Sequence, residues 1–288
     1  MYGGLMGGGG GALAGKHPRD ESYWDMWKTT FCPQFTMVSF TFLAWVLLTA
    51  AYMFCLCMVI SPNKELNYYS FLGPDLKTLH TWGALDAWEI QNNYQIWRLF
   101  TSLFLSYGFS TYCISSGALL VLGFIVENPK MSPARMAIFY FGSGILANLF
   151  SVCVQSEPSV GPMPAIMALT SGLMTSVIVN WKVLAGAGMI RICLIFMTVF
   201  LFVILLILSI DKSRVDLEWE PISLAGEGGG FMAGIGMGLM LMPHALERPS
   251  PWVRMMRKIG LGLTFVYAAI LIPVFFCSVE PVRTGWAY

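Results

Sequence analysis

Glu227 is the one acid in the interior of a long apolar run, flanked by Gly226 and Gly228. An ionisable group at such a position is by default a functional residue. The chemistry open to it is proton acceptance, ion coupling, or hydrogen bonding by a buried carboxyl. The groups that would make it catalytic are not placed to help. The chain has three histidines, His17, His80 and His244, and none falls within an apolar run long enough to cross a bilayer. A serine–histidine pair at bilayer depth is therefore not expected. No His-Glu-x-x-His or Cys-x-x-Cys spacing occurs, and Cys55-x-Cys57 would point to two faces of a helix, so no metal is expected. The seven cysteines, Cys32, Cys55, Cys57, Cys113, Cys153, Cys193 and Cys277, sit mostly inside apolar runs and form no readable disulfide framework. Gly228-Gly229-Gly230 follows no strand and is not a phosphate-cradling loop, so no cofactor is expected either.

The elements that must position Glu227 belong to a membrane protein. Of the 288 residues, 56% are hydrophobic and 11% charged, against roughly 25% charged in soluble domains. A net charge of +1 gives no electrostatic basis for binding nucleic acid. About 20 mostly apolar residues cross the hydrocarbon core as a helix. Seven segments are read as spans: Phe35–Ile60, Cys113–Glu127, Arg135–Cys153, Met163–Trp181, Met189–Ile210, Leu224–Met242 and Ile259–Cys277. The second is short and must tilt or draw on its flanks. Counting Lys and Arg in short loops puts Lys130, Arg135, Lys182, Arg191, Arg248, Arg254, Arg257 and Lys258 on one side, and only Lys212 and Arg214 on the other. Cations are retained on the cytoplasmic side, so the N-terminus is expected inside and the C-terminus outside. Which membrane holds the chain, secretory, plasma or mitochondrial inner, is not readable.

Residues 1–30 are glycine-rich, with eight glycines in the first fifteen positions, and lack the apolar run of a secretory signal. Such a segment is expected to be flexible in isolation. Residues 31–277 form the transmembrane domain and 278–288 a short tail. Between spans one and two, residues 61–112 are too long for a connector and too apolar for a solvated one, carrying Phe71, Leu72, Leu79, Trp82, Trp88 and Trp97 among charged neighbours. They are expected to form a membrane-embedded lobe. Arg98 stands where its planar, permanently charged fork could join backbone carbonyls of that lobe. Gly226, Gly230, Gly234 and Gly238 recur every fourth residue on one helix face, a pattern for close helix approach. Gly142 and Gly144 with Ser143 and Ala147 fit the same purpose in span three.

Several strings, in order, resemble the rhomboid family of intramembrane serine proteases, in its eukaryotic secretase-like branch with a seventh helix after a six-helix core. They are FCPQFTMVSF, FLGPDLKTLHTWGALDAWEI, YQIWRLFTSLFL with Trp97-Arg98, LVLGFIVE ending at Glu127, IFYFGSGILANLFS, and SVGPMPAIMAL from Ser159. The resemblance implies an all-α polytopic fold of six core helices plus a seventh C-terminal helix, with the lobe between helices one and two. It also implies a serine opening span four and a histidine in span six. Here Gly161-Pro162-Met163-Pro164 stands at the family's Gly-x-Ser-Gly turn, so Met163 takes the nucleophile's place and Pro164 removes a backbone donor. Glu227 stands at the histidine's place in EGGGFMAG, and Thr111 and Ser115 stand where the family has an oxyanion-stabilising His and Asn. The chain is therefore expected to be an inactive pseudoprotease that binds other integral membrane proteins and lipids, as a fixed subunit of a larger assembly. The alternatives are a transient trafficking or quality-control adaptor, a transporter using Glu227, and a protease with a displaced nucleophile such as Ser159 or Thr170.

Overall fold

The computed structural model describes residues 41–61, 72–126, 131–155, 158–181, 184, 188–213, 223–244 and 250–279. The expectations for residues 1–30, for Phe35 to Phe40 of the first span, for Glu127 and for the final tail 280–288 lie outside them. The described chain is all helical, with helices α1 Thr41–Ile60, α2 Leu76–Thr81, α3 Ala87–Asn92, α4 Arg98–Thr101 running into a 3-10 turn Ser102–Phe104, and α5 Phe109–Val126. Then follow α6 Pro133–Val154, α7 Met163–Val179, α8 Gly188–Ser213, α9 Leu224–Leu241 and α10 Pro251–Ser278. The described residues form an all-helical polytopic bundle, among them seven apolar helices, α1 and α5 to α10.

Four of these, Phe42–Ile60, Pro133–Val154, Leu224–Leu241 and Pro251–Cys277, are long and apolar enough by themselves to cross a membrane. The second expected span begins four residues earlier than its sequence reading, at Phe109, which makes it an 18-residue helix, and the short helical segment Arg98–Phe104 of the lobe meets it at a 92° bend. The shorter apolar stretches are Met163–Val179 and Arg191–Ile207. α7 tolerates 17 residues because neighbouring helices, not lipid, surround it: every residue from Met163 to Gly172 is buried. The seventh helix starts at Pro251, eight residues before the expected Ile259, because hydropathy stops at Arg254, Arg257 and Lys258 whereas the backbone does not. Its start is a local signal. Ser250 Oγ accepts from the Val253 amide at 3.4 Å and Pro251 follows, and Ser132 and Pro133 open α6 in the same way.

In lipid the apolar contact between helices gains little by itself, so association rests on close packing and buried polar contacts. α9 is the hub, buried over 56% of its span against 17% for α10 at the rim. Glycine makes this possible on three sides. A Cβ at Gly230 would lie 2.0 Å from the Pro164 carbonyl oxygen, one at Gly234 2.6 Å from the Ala168 carbonyl oxygen, and one at Gly238 2.2 Å from Thr175 Oγ1, all on α7. A Cβ at Gly229 would meet the Phe150 side chain of α6 at 2.8 Å. Toward α10, one at Gly236 would meet Thr264 Oγ1 at 2.7 Å, and one at Gly260 would meet the Gly236 carbonyl oxygen at 2.6 Å.

Candidate functional site

The lobe is a hydrogen-bonded scaffold beneath which the site lies. Arg98 is buried and donates from Nη1 to the carbonyls of His80 at 2.8 Å and Ala84 at 2.9 Å, and from Nε to Gln95 Oε1 at 2.7 Å. Burial draws its pKa down from the ordinary value, and the carboxylates of Glu89 and Asp86 oppose that. Trp97 is half exposed, and the Arg98 guanidinium carbon lies 5.1 Å from its ring centroid. The ring sits so close over Gly83, at φ +103°, that a Cβ there would fall 2.3 Å from it, so both backbone and space demand glycine.

Asp86 caps α3, accepting from the amides of Trp88 at 2.8 Å and Glu89 at 3.4 Å, and its Oδ2 lies 3.2 Å from His80 Nε2. Burial raises its carboxyl's pKa, but the His80 and amide hydrogen bonds outweigh this and leave it below the ordinary value. His80 is thereby committed to the lobe. Asn148 of α6 donates to the Leu99 carbonyl at 2.8 Å and to Ser102 Oγ at 2.9 Å, tying the lobe to the bundle. The segment entering α7 is pinned to the same lobe: Leu85 and Ser159 exchange two backbone hydrogen bonds of 2.9 Å, and the Gly161 amide donates to the Ser102 carbonyl at 3.1 Å. Gly161 has φ +130° with open space around it, so its backbone angle is what requires glycine.

These anchors deliver the first turn of α7 against the first turns of α9. Gly226 and Gly230 bracket Pro164, whose ring carbon lies 3.2 Å from where a Gly226 Cβ would sit. Met163 and Glu227 are both buried, one on each of the two facing turns. Two prolines, Pro162 and Pro164, deprive the α7 start of amide donors, and Met163 supplies a thioether where hydrolysis would need a hydroxyl or thiol. Thr111 and Ser115 are buried on α5, which packs on α7. The Ser115 hydroxyl is spent on its own helix, donating to the Tyr112 carbonyl at 3.1 Å. Thr170 likewise donates back to the Ile166 carbonyl at 3.1 Å.

Sequence reasoning overlooked a polar chain beside Glu227. Ser223 caps α9 by accepting from the Gly226 amide at 2.8 Å, donates to Gln155 Oε1, and receives the Ser151 hydroxyl. A serine three residues before Gly226, where an apolar run begins, was a legible capping signal; its partners on α6 were not, because they are 72 and 68 residues away. Asn148 was missed for the same reason.

A family model described as a Rhomboid domain matches residues 93–244, slightly more than half of the chain. Among similar proteins, "Inactive RHOMBOID-like protein 8" of Arabidopsis thaliana is 32% identical over 120 residues, covering 41% of this chain and 34% of that protein. "RHOMBOID-like protein 6, mitochondrial", also of Arabidopsis thaliana, is 26% identical over 193 residues, 66% of this chain and 57% of its own length. "Rhomboid-like protease 2" of Toxoplasma gondii is 24% identical over 252 residues, 85% of this chain and 81% of its own length. The chain thus spans between a third and somewhat over half of the first two, and most of the third.

Proposed function

The chain belongs to the rhomboid family, and we propose that it has kept the family's bundle, abandoned peptide-bond hydrolysis, and works by binding other integral membrane proteins. The observation that carries this reading is the first turn of α7, where a buried thioether and a proline occupy the positions the family resemblance gives to the nucleophile and its following glycine. Three further features support it. Glu227, at the base's position, has no hydroxyl at Met163 to serve, and the Ser115 and Thr170 hydroxyls are turned back onto their own helices. Neither described histidine, His80 or His244, lies in a long apolar helix, and His80 is held by Asp86. The similarity to a relative whose name calls it inactive agrees with the same reading.

The purified chain, reconstituted in liposomes with a transmembrane substrate that rhomboid proteases cleave broadly, is expected to give no product above protein-free vesicles. Product that forms with time and disappears when residues of this chain are mutated would reverse the assignment. The binding role is proposed as that of a fixed subunit of a larger assembly. Stoichiometric co-purification in mild detergent is the expected result, and a substoichiometric, exchanging set of clients would favour the adaptor reading.

Glu227 separates binding from transport. It is 2% exposed on α9, the helix packed by α6, α7 and α10. As a structural carboxyl it should tolerate Glu227→Gln, which keeps shape and hydrogen-bonding capacity, whereas Glu227→Leu should cost about 1–3 kcal/mol through unsatisfied partners. Proton or ion flux in proteoliposomes that is present in the wild type and vanishes in Glu227→Gln would establish ion coupling instead.

A further inference from the structure

The first turns of α10 carry Arg254, Arg257 and Lys258, at i, i+3 and i+4, and therefore on one face. Left alone this is an unfavourable arrangement. The three cations repel one another, and they stand at the positive end of the helix macrodipole, where acids rather than bases are favoured. No acid occurs anywhere in α10 to relieve them. Among the described residues no carboxylate lies at the membrane face where α10 begins. Asp75, Asp86 and Glu89 belong to the lobe, and Asp211 and Glu227 sit at the far ends of α8 and α9; Glu247 is outside the described residues. Arg254 and Lys258 are exposed, and the buried Nε of Arg257 has no hydrogen-bond partner. Retention of cations on one side of a membrane depends on how many there are. It does not explain their gathering on a single outward face.

That face continues along the helix as an apolar stripe. Leu261, Phe265 and Ile272 follow Arg254 at i+7, i+11 and i+18, within about one side-chain width of the same line at 3.6 residues per turn. They are 58%, 71% and 50% exposed, so the bundle leaves the whole stripe open from the cations inward. A row of cations joined end to end with an exposed apolar track matches one kind of molecule: a phosphate-bearing headgroup attached to an acyl chain. We propose that this face of α10 is a binding site for an anionic phospholipid. Its phosphate sits among Arg254, Arg257 and Lys258, and an acyl chain lies along Leu261, Phe265 and Ile272. The charge of the headgroup removes the repulsion among the three cations, and the acyl track distinguishes the lipid from free phosphate.

The test is native mass spectrometry of the full chain in detergent, titrated with phosphatidylglycerol, phosphatidylcholine or inorganic phosphate. Phosphatidylglycerol should bind at least about tenfold more tightly than phosphatidylcholine, and millimolar phosphate should not displace it. The triple variant Arg254→Gln, Arg257→Gln, Lys258→Gln should lose roughly a hundredfold in phosphatidylglycerol affinity, from about fivefold for each basic residue at a membrane surface. Equal affinity in wild type and triple variant overturns the proposal. So does equal binding of the two lipids, and displacement by phosphate would assign a soluble anion in place of a lipid. Should the triple variant fail to fold, a photoactivatable phosphatidylglycerol bound to the wild type decides the matter. Crosslinks within residues 251–272 support the site, and crosslinks confined to other helices refute it.

Discussion

Replacing Arg98 with alanine is expected to destabilise the folded chain by about 3–5 kcal/mol, the range seen when one member of a buried charged contact is removed. The reason is the geometry of its acceptors. Its guanidinium satisfies the carbonyls of His80 and Ala84 and the amide oxygen of Gln95 at once, and these come from three separate turns of the lobe. Truncation takes the donor from the Ala84 carbonyl and leaves the His80 carbonyl with the Gly83 amide, where burial makes an unmade hydrogen bond costly. Trp97 would also lose the cation beside its ring, and with it part of what seats the ring over Gly83. Lysine should rescue only partly, since an ammonium cannot reproduce a planar fork toward three acceptors. Thermal unfolding in detergent measures the loss, and hydrogen exchange should speed up first in residues 80–101. Unchanged stability in Arg98→Ala would mean that the Asp86 cap, the Leu85–Ser159 pairing and the Asn148 and Gly161 hydrogen bonds hold the lobe without the guanidinium.

The parts of this fold legible in the sequence are those governed by local pattern. Among the described residues apolar length located a helix at each of the seven expected spans, four of them long and apolar enough to cross a membrane by themselves, and a four-residue glycine period marked the face that α9 turns toward α7. Long-range partners left no such trace. Gly236 and Gly260 lie on different helices, 24 positions apart, and only the folded bundle reveals that a Cβ on Gly260 would meet the Gly236 carbonyl and one on Gly236 the Thr264 hydroxyl. Asn148 reads as one polar residue in an apolar helix, yet it joins that helix to Leu99 and Ser102. The start of α10 was misplaced because charge was read as the end of a span, whereas the Ser250-Pro251 cap fixes the backbone and the cations ride on its first turns. At the candidate site, Met163, Pro164 and Glu227 stand where the family resemblance implies a serine, a glycine and a histidine. What the alignment of strings could not supply was that Ser115 and Thr170 bond back to their own helices.

The glycine face of α9 allows a graded test of how the site's two walls are held. Gly230→Ala should be the most damaging of its single-methyl substitutions, costing about 3 kcal/mol or more, at the top of the range for overpacking. Its new Cβ would lie 2.0 Å from the carbonyl oxygen and 2.8 Å from the carbonyl carbon of Pro164, and backbone held by a proline cannot swing aside. α7 and α9 would have to part at the turns that carry Met163 and Glu227. Gly238→Ala should cost less, because its nearest obstacle is the Thr175 hydroxyl at 2.2 Å, a side chain that can change rotamer after giving up its 2.8 Å bond to the Gly172 carbonyl. Gly228→Ala meets nothing within 4 Å and should be neutral or stabilise by up to about 1 kcal/mol through helix propensity. Thermal unfolding of the three variants in one detergent should therefore rank Gly230→Ala lowest, Gly238→Ala between, and Gly228→Ala at or above wild type. If Gly230→Ala unfolds at the wild-type temperature, the start of α9 does not press on Pro164. Glu227 would then stand apart from the α7 turn that carries Met163.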